Sequence, residues 1–348
     1  MTTTKRLAAA LLGSMVLVAA AAPALAQTGE VNIYSYREQS LLQPLLDAFT
    51  AETGITANVL YAGDGLLERV ESEGELSPAD VVLTVDIGNL FSAEERGITQ
   101  AITTPALAER VPAAFRDDDG NWTALSLRSR VFYVSKDRVD ATALTYDDIA
   151  GPEWKGRLCT RPGSHVYNIG LIAHYIAANG LDEAREWLTK VRDNLAMAPN
   201  GNDRGQVKNI LEGSCDLAIV NTYYMGAMLN NAAEPEQKDW ANSARIIYPD
   251  AEGEGTQVNV SGAFIAEHAP NAENANALIA FLLSDEAQSI YADTNYEFPV
   301  VASAPINPLV AGWGTLKASQ VPLTEVAAHR AEAAALVDEL KFNEGPQN

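Results

Sequence analysis

The order of apolar and polar residues in the first part of the chain predicts alternating strands and helices. Apolar runs bounded by polar residues predict strands at 31–36, 56–61 and 78–86. Between the first two runs, leucine and phenylalanine recur at spacings of three and four over 40–53, which predicts an amphipathic helix that ends at Gly54. The last run is flanked by acids and predicts a buried parallel strand. Strands that alternate with helices indicate an α/β fold with a parallel sheet.

A second α/β set follows in the rest of the chain. Its predicted strands lie at 130–137, 156–161, 215–220 and 258–271, and its predicted helices at 167–180, 182–195, 272–293 and 324–340. Two such sets predict two hinged lobes, each a mixed, mostly parallel sheet flanked by helices. We expect residues 27–128 with 257–302 in lobe 1, and residues 129–256 with 303–348 in lobe 2. Two-lobe proteins of this kind close around a ligand beyond the carboxyl ends of the strands.

Residues 1–26 predict a secretory signal peptide. Lys5 and Arg6 precede an apolar run at 7–22, and Ala24-Leu25-Ala26 fits the small-x-small rule for cleavage. No later uncharged apolar run reaches the roughly 18 residues of a transmembrane helix. The signal resembles a bacterial one, so we expect an exported chain in the periplasm that does not insert into the membrane.

The charge balance excludes some classes of partner. Acidic residues outnumber basic residues by 46 to 24, which gives a formal net charge of −22. Proteins that bind nucleic acid or anionic membrane surfaces carry basic patches, so neither partner is expected. The balance is compatible with a protein that gathers cations, although charge alone identifies no ligand.

The two cysteines of the chain, Cys159 and Cys215, each lie near the end of a predicted strand. In an exported protein a single pair of cysteines favours one disulfide, and the alternative is two separate buried thiols. A zinc site is not expected, because no histidine pattern accompanies the cysteines.

Few residues in the sequence indicate a catalytic site. The chain has four histidines and contains no nucleophile elbow, phosphate-binding loop, zinc-protease motif or dinucleotide-binding motif. An exported hydrolase is the alternative from another functional class, and His165, beside Tyr167, is its only candidate base. We therefore predict that the protein is not an enzyme.

Three tyrosines occupy a more informative position. Tyr223 and Tyr224 follow a predicted strand and precede a helix, with Asn221 or Thr222 as the expected N-cap. Tyr167 also follows a strand and a glycine-containing loop, and it opens a helix. Core packing would explain a tyrosine pair taken alone. Three phenols at two junctions of one lobe could instead converge on one ligand.

Phenols suit a hard, highly charged cation. A free tyrosine has a pKa near 10, so a strong Lewis acid such as ferric iron is needed to ionise it at neutral pH. Calcium and magnesium prefer carboxylates. Arg37 and Arg130 are candidates to hold a small anion, carbonate or bicarbonate, at the positions that three tyrosinates leave open. For each arginine the alternative is a structural salt bridge.

Several stretches resemble the periplasmic ferric-ion-binding proteins of bacterial iron ABC transporters, within the type II substrate-binding proteins. The resemblance covers essentially the whole mature chain, and its most specific part is "NTYYMG" together with the upstream "YN". It implies a two-lobe fold, ferric iron as the ligand of Tyr167, Tyr223 and Tyr224, and an inner-membrane ABC permease as the partner of a monomer. It also implies the bridge between Cys159 and Cys215.

The chain departs from the family after the first strand. Many members have a histidine or tyrosine ligand in that loop, whereas this loop reads Arg37-Glu38-Gln39. It resembles the subgroup in which an arginine and a bound carbonate complete the shell. Tyr36 is a further candidate ligand, and Glu38 ranks below it. Ferrous iron, manganese or a small organic or oxyanion ligand are the alternatives within the binding class.

Overall fold

The structure is a computed structural model that describes residues 29–347. The strands are β1 Glu30–Ser35, β2 Thr56–Tyr61, β3 Val81–Thr84, β4 Thr99–Gln100, β5 Thr123–Ser135, β6 Leu158–Thr160, β7 Leu217–Asn221, β8 Ala244–Ile247, β9 Val258–Ala266 and β10 Phe298–Pro299. The helices are α1 Gln39–Thr53, α2 Leu66–Glu73, α3 Ile87–Glu95, α4 Ala106–Arg110, α5 Val166–Asn179, α6 Leu181–Asp193, α7 Asp203–Leu211, α8 Tyr224–Leu229, α9 Gln237–Ser243, α10 Ala272–Leu282, α11 Asp285–Asn295, α12 Pro308–Ala311, α13 Leu323–Ala328 and α14 Arg330–Glu339.

The strands form two mixed half-sheets that share β5. Along the hydrogen-bonded path the order is β2-β1-β3-β9-β5-β7-β6. β1 runs parallel to β2 and β3, and β6 runs parallel to β7, whereas β9 and β5 are antiparallel to their neighbours. The predicted parallel, buried strand at β3 is therefore confirmed, and all four of its residues are buried.

β5 connects the two half-sheets, and its 13 residues are all buried. Its first part, up to Ser129, pairs with β9, and its second part, from Arg130, pairs with β7. The strand predicted at 130–137 thus begins earlier, at Thr123. The first part contains polar residues, which obscure the apolar pattern of a strand in the sequence. In the structure these residues are buried where the two half-sheets meet.

Helices cover both half-sheets and bury their apolar residues against them. α1 buries Leu42, Leu45, Leu46 and Phe49, the residues whose spacing predicted the helix, and Gly54 ends it in the left-handed conformation. In the other half-sheet α5 packs against α6, α13 and α14. These helices and the strands beneath them enclose a separate group of buried apolar side chains.

Two predicted helices are each divided in the structure. The helix expected at 272–293 is α10 followed by α11, because the Ser284 side chain accepts a hydrogen bond from the Ala287 N–H and caps a new helix. The helix expected at 324–340 is α13 followed by α14, and His329, with ψ of 4°, separates them. Apolar periodicity alone does not reveal such breaks.

The disulfide predicted between Cys159 and Cys215 is present, and its Cα atoms are 6.0 Å apart. Cys159 lies on β6 and Cys215 lies two residues before β7, so the bond ties two parallel neighbours together. These strands lead to the two junctions that carry the tyrosines.

Two sequence predictions are not tested by this structure. The signal peptide at 1–26 lies outside the described residues. The lobe boundaries, 27–128 with 257–302 and 129–256 with 303–348, stay a prediction. Between residues 29 and 347, no helix combines the length and the apolar character needed to cross a membrane.

Replacing Cys159 and Cys215 together by alanine should lower the free energy of unfolding. The residues are 56 positions apart, and loop closure of that length corresponds to about 4 kcal/mol. Urea unfolding followed by circular dichroism measures the change, and the reduced natural protein is the control, since it should match the variant. Equal unfolding midpoints for oxidised and reduced protein would contradict a stabilising bridge.

Candidate functional site

A cavity of about 500 Å³ lies where the loop after β1, the helices that follow β6 and β7, and the loop after α11 meet. This is the carboxyl edge of the parallel strands, where ligands of α/β proteins bind. The ionisable lining residues are the phenols Tyr36, Tyr167, Tyr223, Tyr224 and Tyr296, the guanidinium groups Arg37, Arg128 and Arg204, and the carboxylates Glu38 and Glu297.

The three tyrosines singled out from the sequence lie together on one wall of this cavity. The Tyr223 hydroxyl donates a hydrogen bond to the Tyr167 hydroxyl at 3.0 Å. The ring centroids of Tyr223 and Tyr224 are 4.5 Å apart. The cause is the parallel pairing of β6 with β7, because α5 follows the first strand and α8 follows the second. Their first residues therefore meet at the same edge of the sheet.

Burial keeps two of these phenols protonated when no cation is present. Burial, followed by the neighbouring Tyr167 and Tyr224, raises the pKa of Tyr223 well above its usual value. Burial, followed by the Asp203 carboxylate, raises the pKa of Tyr224 to about 12. A ligand that binds these oxygens as phenolates must therefore displace their protons.

The caps of the two tyrosine helices differ from each other. The His165 side chain caps α5, since its Nδ1 accepts a hydrogen bond from the Tyr167 N–H at 3.2 Å. Burial and the nearby Arg161 lower the pKa of His165 to about 4, which keeps the imidazole neutral. α8 has Tyr223 at its N-cap position with no side-chain cap, so the expected cap at Asn221 or Thr222 is wrong.

A buried ion cluster supports the tyrosine wall from below. The Asp203 carboxylate pairs with both Arg130 and Arg161, and Arg130 also donates to the Asn168 Oδ1 at 2.8 Å. The guanidinium carbons of Arg130 and Arg161 lie 5.8 and 5.1 Å from the centroid of the Tyr167 ring. The cluster links β5, the end of β6, α7 and the first turn of α5.

Arg130 therefore does not line the cavity, which corrects its expected position beside a bound anion. Its donors are taken by Asp203, Asn168 and Asn221, and its side chain is 1% exposed. Arg128 lines the cavity instead. Its Nη1 donates to the Ser261 hydroxyl at 2.9 Å, while its Nη2 has no hydrogen-bond partner among residues 29–347.

The second predicted arginine, Arg37, does reach the cavity, and it is buried there beside Glu297. Its Nη2 lies 3.2 Å from the Glu297 carboxylate and also donates to the Ser261 hydroxyl. Burial alone would raise the pKa of Glu297, but Arg37 and then Arg128 lower it overall, so the carboxylate stays ionised. Glu297 thus neutralises one of the cationic groups at the cavity.

Tyr36 and Glu38 also line the cavity. The Tyr36 hydroxyl accepts a hydrogen bond from the Leu67 N–H at 3.1 Å, at the start of α2. This bond holds the phenol near the first-strand loop and occupies one acceptor position of its oxygen. Glu38 is exposed and precedes α1 without capping it through its side chain.

Four of the ionisable lining residues, Arg128, Arg204, Tyr296 and Glu297, are not predicted by the sequence patterns. Arg128 lies two positions before Arg130 on the same face of β5, and the alternation of a strand extended to residue 123 would have indicated it. Arg204 lies in the first turn of α7, after the capping residue Asn202. Glu297 has no local signal, because its partner Arg37 is distant in sequence.

Comparisons with known proteins agree with this architecture. Residues 77–313 match the family described as bacterial extracellular solute-binding protein. A relative from Synechocystis sp. named "Iron uptake protein A1" is 41% identical over 312 residues, which cover 89% of this chain and 86% of that protein.

Solved structures give the same result for the fold. The Bordetella ferric binding protein is 45% identical, with a TM-score of 0.86 over 90% of this chain and 99% of its own. A Trichodesmium protein solved in complex with iron and citrate ligands is 36% identical, with a TM-score of 0.86 over 90% and 100% of the two chains. The predicted type II α/β fold and the family resemblance are thereby confirmed. This chain belongs to the family of bacterial extracellular solute-binding proteins.

Proposed function

We propose that the protein captures ferric iron in the 500 Å³ cavity through the phenolates of Tyr167, Tyr223 and Tyr224. The observation that carries this proposal is the common wall of three phenols, two of whose oxygens are 3.0 Å apart. Relatives similar over about nine tenths of the chain are named for iron uptake and ferric binding, which supports the same ligand.

The chemistry of the cavity favours a ferric ion over softer or less charged cations. Three phenolates would balance its charge, and an ion of high charge is needed to displace phenol protons near neutral pH. Across residues 29–347, no group of three or more histidine, cysteine, aspartate or glutamate side chains is placed to hold a metal. The carboxylate cage that calcium prefers is therefore missing from this part of the chain.

We further propose that a small oxyanion, carbonate or bicarbonate, completes the shell of the iron at the positions that the three phenolates leave open. Arg37 is already paired with Glu297, whereas Arg128 retains a free Nη2 among the described residues and its guanidinium carbon lies 5.8 Å from the Tyr167 ring. A forked guanidinium group suits a planar oxyanion. Arg128 is thus the better-supported group to bind the oxyanion, and the pair of Arg37 and Glu297 lines the cavity next to it.

Delivery is the remaining part of the proposed function. The signal at 1–26 and the extracellular family support a periplasmic protein, which would act as a monomer and pass iron to an inner-membrane ABC permease. Release requires that the phenolates regain protons, that the anion leaves, or that iron is reduced to the ferrous state.

Titrating the apo protein with ferric citrate should produce a visible charge-transfer band from phenolate to iron. Tyr223→Phe removes one of the three phenolates and should weaken or shift this band and lower affinity at least about tenfold, or ~1.4 kcal/mol. Tyr61→Phe is the matched control, because Tyr61 does not line the cavity. A colourless complex, or a band unchanged in Tyr223→Phe, would refute tyrosinate coordination. Metal analysis of the protein as purified separates ferric iron from ferrous iron and manganese.

Iron binding should release protons and weaken as the pH falls. The pKa of Tyr224 is raised to about 12 and that of Tyr223 is raised well above its usual value, so both groups carry protons at neutral pH before iron binds. Lower pH supplies more of the competing proton and therefore favours the apo form. We expect log K for ferric iron to rise by about two or more per pH unit between pH 5 and 8. A pH-independent affinity would contradict phenolate binding.

Iron affinity should depend on bicarbonate, and Arg128→Lys should reduce that dependence. Lysine keeps the charge but lacks the fork, so we expect a loss of about tenfold in affinity at saturating bicarbonate, as for a charged hydrogen bond. Ferric titrations with and without bicarbonate measure the effect. Arg96→Lys, which changes an exposed ion pair with Glu68, is the control. Affinity that depends on citrate but not on bicarbonate would identify a different anion.

A further inference from the structure

Tyr296, at the end of α11, packs directly onto the backbone of α8, the helix that begins at the tyrosine pair. Gly226 lies in α8, two residues after Tyr224. A Cβ at position 226 would overlap the Tyr296 ring and would lie 2.8 Å from its Cδ2. Only glycine therefore permits this approach, in which the ring rests on the helix backbone.

Tyr296 has an unusual backbone conformation. It ends α11 with φ of 56° and ψ of 26°, in the left-handed region that residues other than glycine rarely adopt. On its C-terminal side Glu297 is buried against Arg37, and Phe298 pairs with Leu127 of β5. The backbone of Tyr296 is therefore held between α11 and β10, and its left-handed conformation singles out this position.

We infer that Tyr296 is a positioning residue for the iron site. Its ring contacts Gly226 and so holds α8, with the tyrosine pair, in place. α8 begins at Tyr224 and has Tyr223 as its N-cap residue, so a shift of this short helix moves both phenol oxygens. The inference rests on the proposed function and extends it, because it assigns the orientation of the tyrosine pair to a residue of the opposite half-sheet.

The geometry of the contact predicts a specific pattern of effects. In an isolated helix, Gly226→Ala would favour helix formation, so any loss must come from the new methyl group against the ring. Gly226→Ala should push α8 away from Tyr296 and misplace the phenols. Tyr296→Ala removes the ring against which α8 packs, so the phenols of Tyr223 and Tyr224 should again be misplaced.

The test measures the rate at which iron-loaded protein loses iron to a competing chelator, together with the wavelength of the charge-transfer band. We expect Gly226→Ala to release iron about tenfold faster, equivalent to ~1.4 kcal/mol in the barrier, with a shifted band. In the Tyr296→Ala background, adding Gly226→Ala should cause no further acceleration, because the methyl group then meets no ring.

Gly205→Ala is the matched control. Gly205 lies in α7 of the same half, and its added Cβ would meet only Asn202 Oδ1, at 3.7 Å. Additive effects in the double variant, or a natural release rate in Gly226→Ala, would overturn the positioning role while leaving ferric binding intact. Failure of the natural protein to bind iron at all would overturn the proposed function and this inference with it.

Discussion

The candidate site depends on one buried carboxylate, Asp203, held between the guanidinium groups of Arg130 and Arg161. Removing charges from water costs several kcal/mol for each ion, so a cluster of this kind persists only when every member is paired. Its members come from β5, from the end of β6 and from α7, and together they support the ring of Tyr167. The phenol wall is therefore fixed by electrostatics beneath it as well as by the strands that lead to it.

The arginines that line the cavity differ in how far their charges are paired. Glu297 stays ionised beside Arg37 and accepts hydrogen bonds from its Nη2, whereas Arg128 and Arg204 keep a guanidinium nitrogen without a partner in the described part of the chain. A cation held by phenolates and an oxyanion held by these arginines would complement each other. The protein as a whole is strongly acidic, with a formal net charge of −22, whereas three guanidinium groups and two carboxylates line the cavity.

Local patterns predicted the fold well where neighbouring residues control it. The spacing of Leu42, Leu45, Leu46 and Phe49 predicted α1, and the apolar run before residue 86 predicted a buried strand. The patterns failed where a side-chain contact interrupts them. Ser284 starts a new helix within one apolar stripe, and the buried polar residues of β5 conceal half of a strand that lies between two half-sheets.

The sequence by itself determined that the three phenols lie at strand-to-helix junctions, because the strand end and the helix start are both adjacent to each tyrosine in the chain. It also determined that only one intramolecular disulfide pairing was available, since only two cysteines are present, and the structure contains that bond. Only the tertiary structure decided which arginines line the cavity. It also brought Glu297 to Arg37 and Tyr296 to Gly226. These contacts join residues up to 260 positions apart. Burial and charge pairing over such separations depend on how the chain packs and leave no periodicity in the sequence.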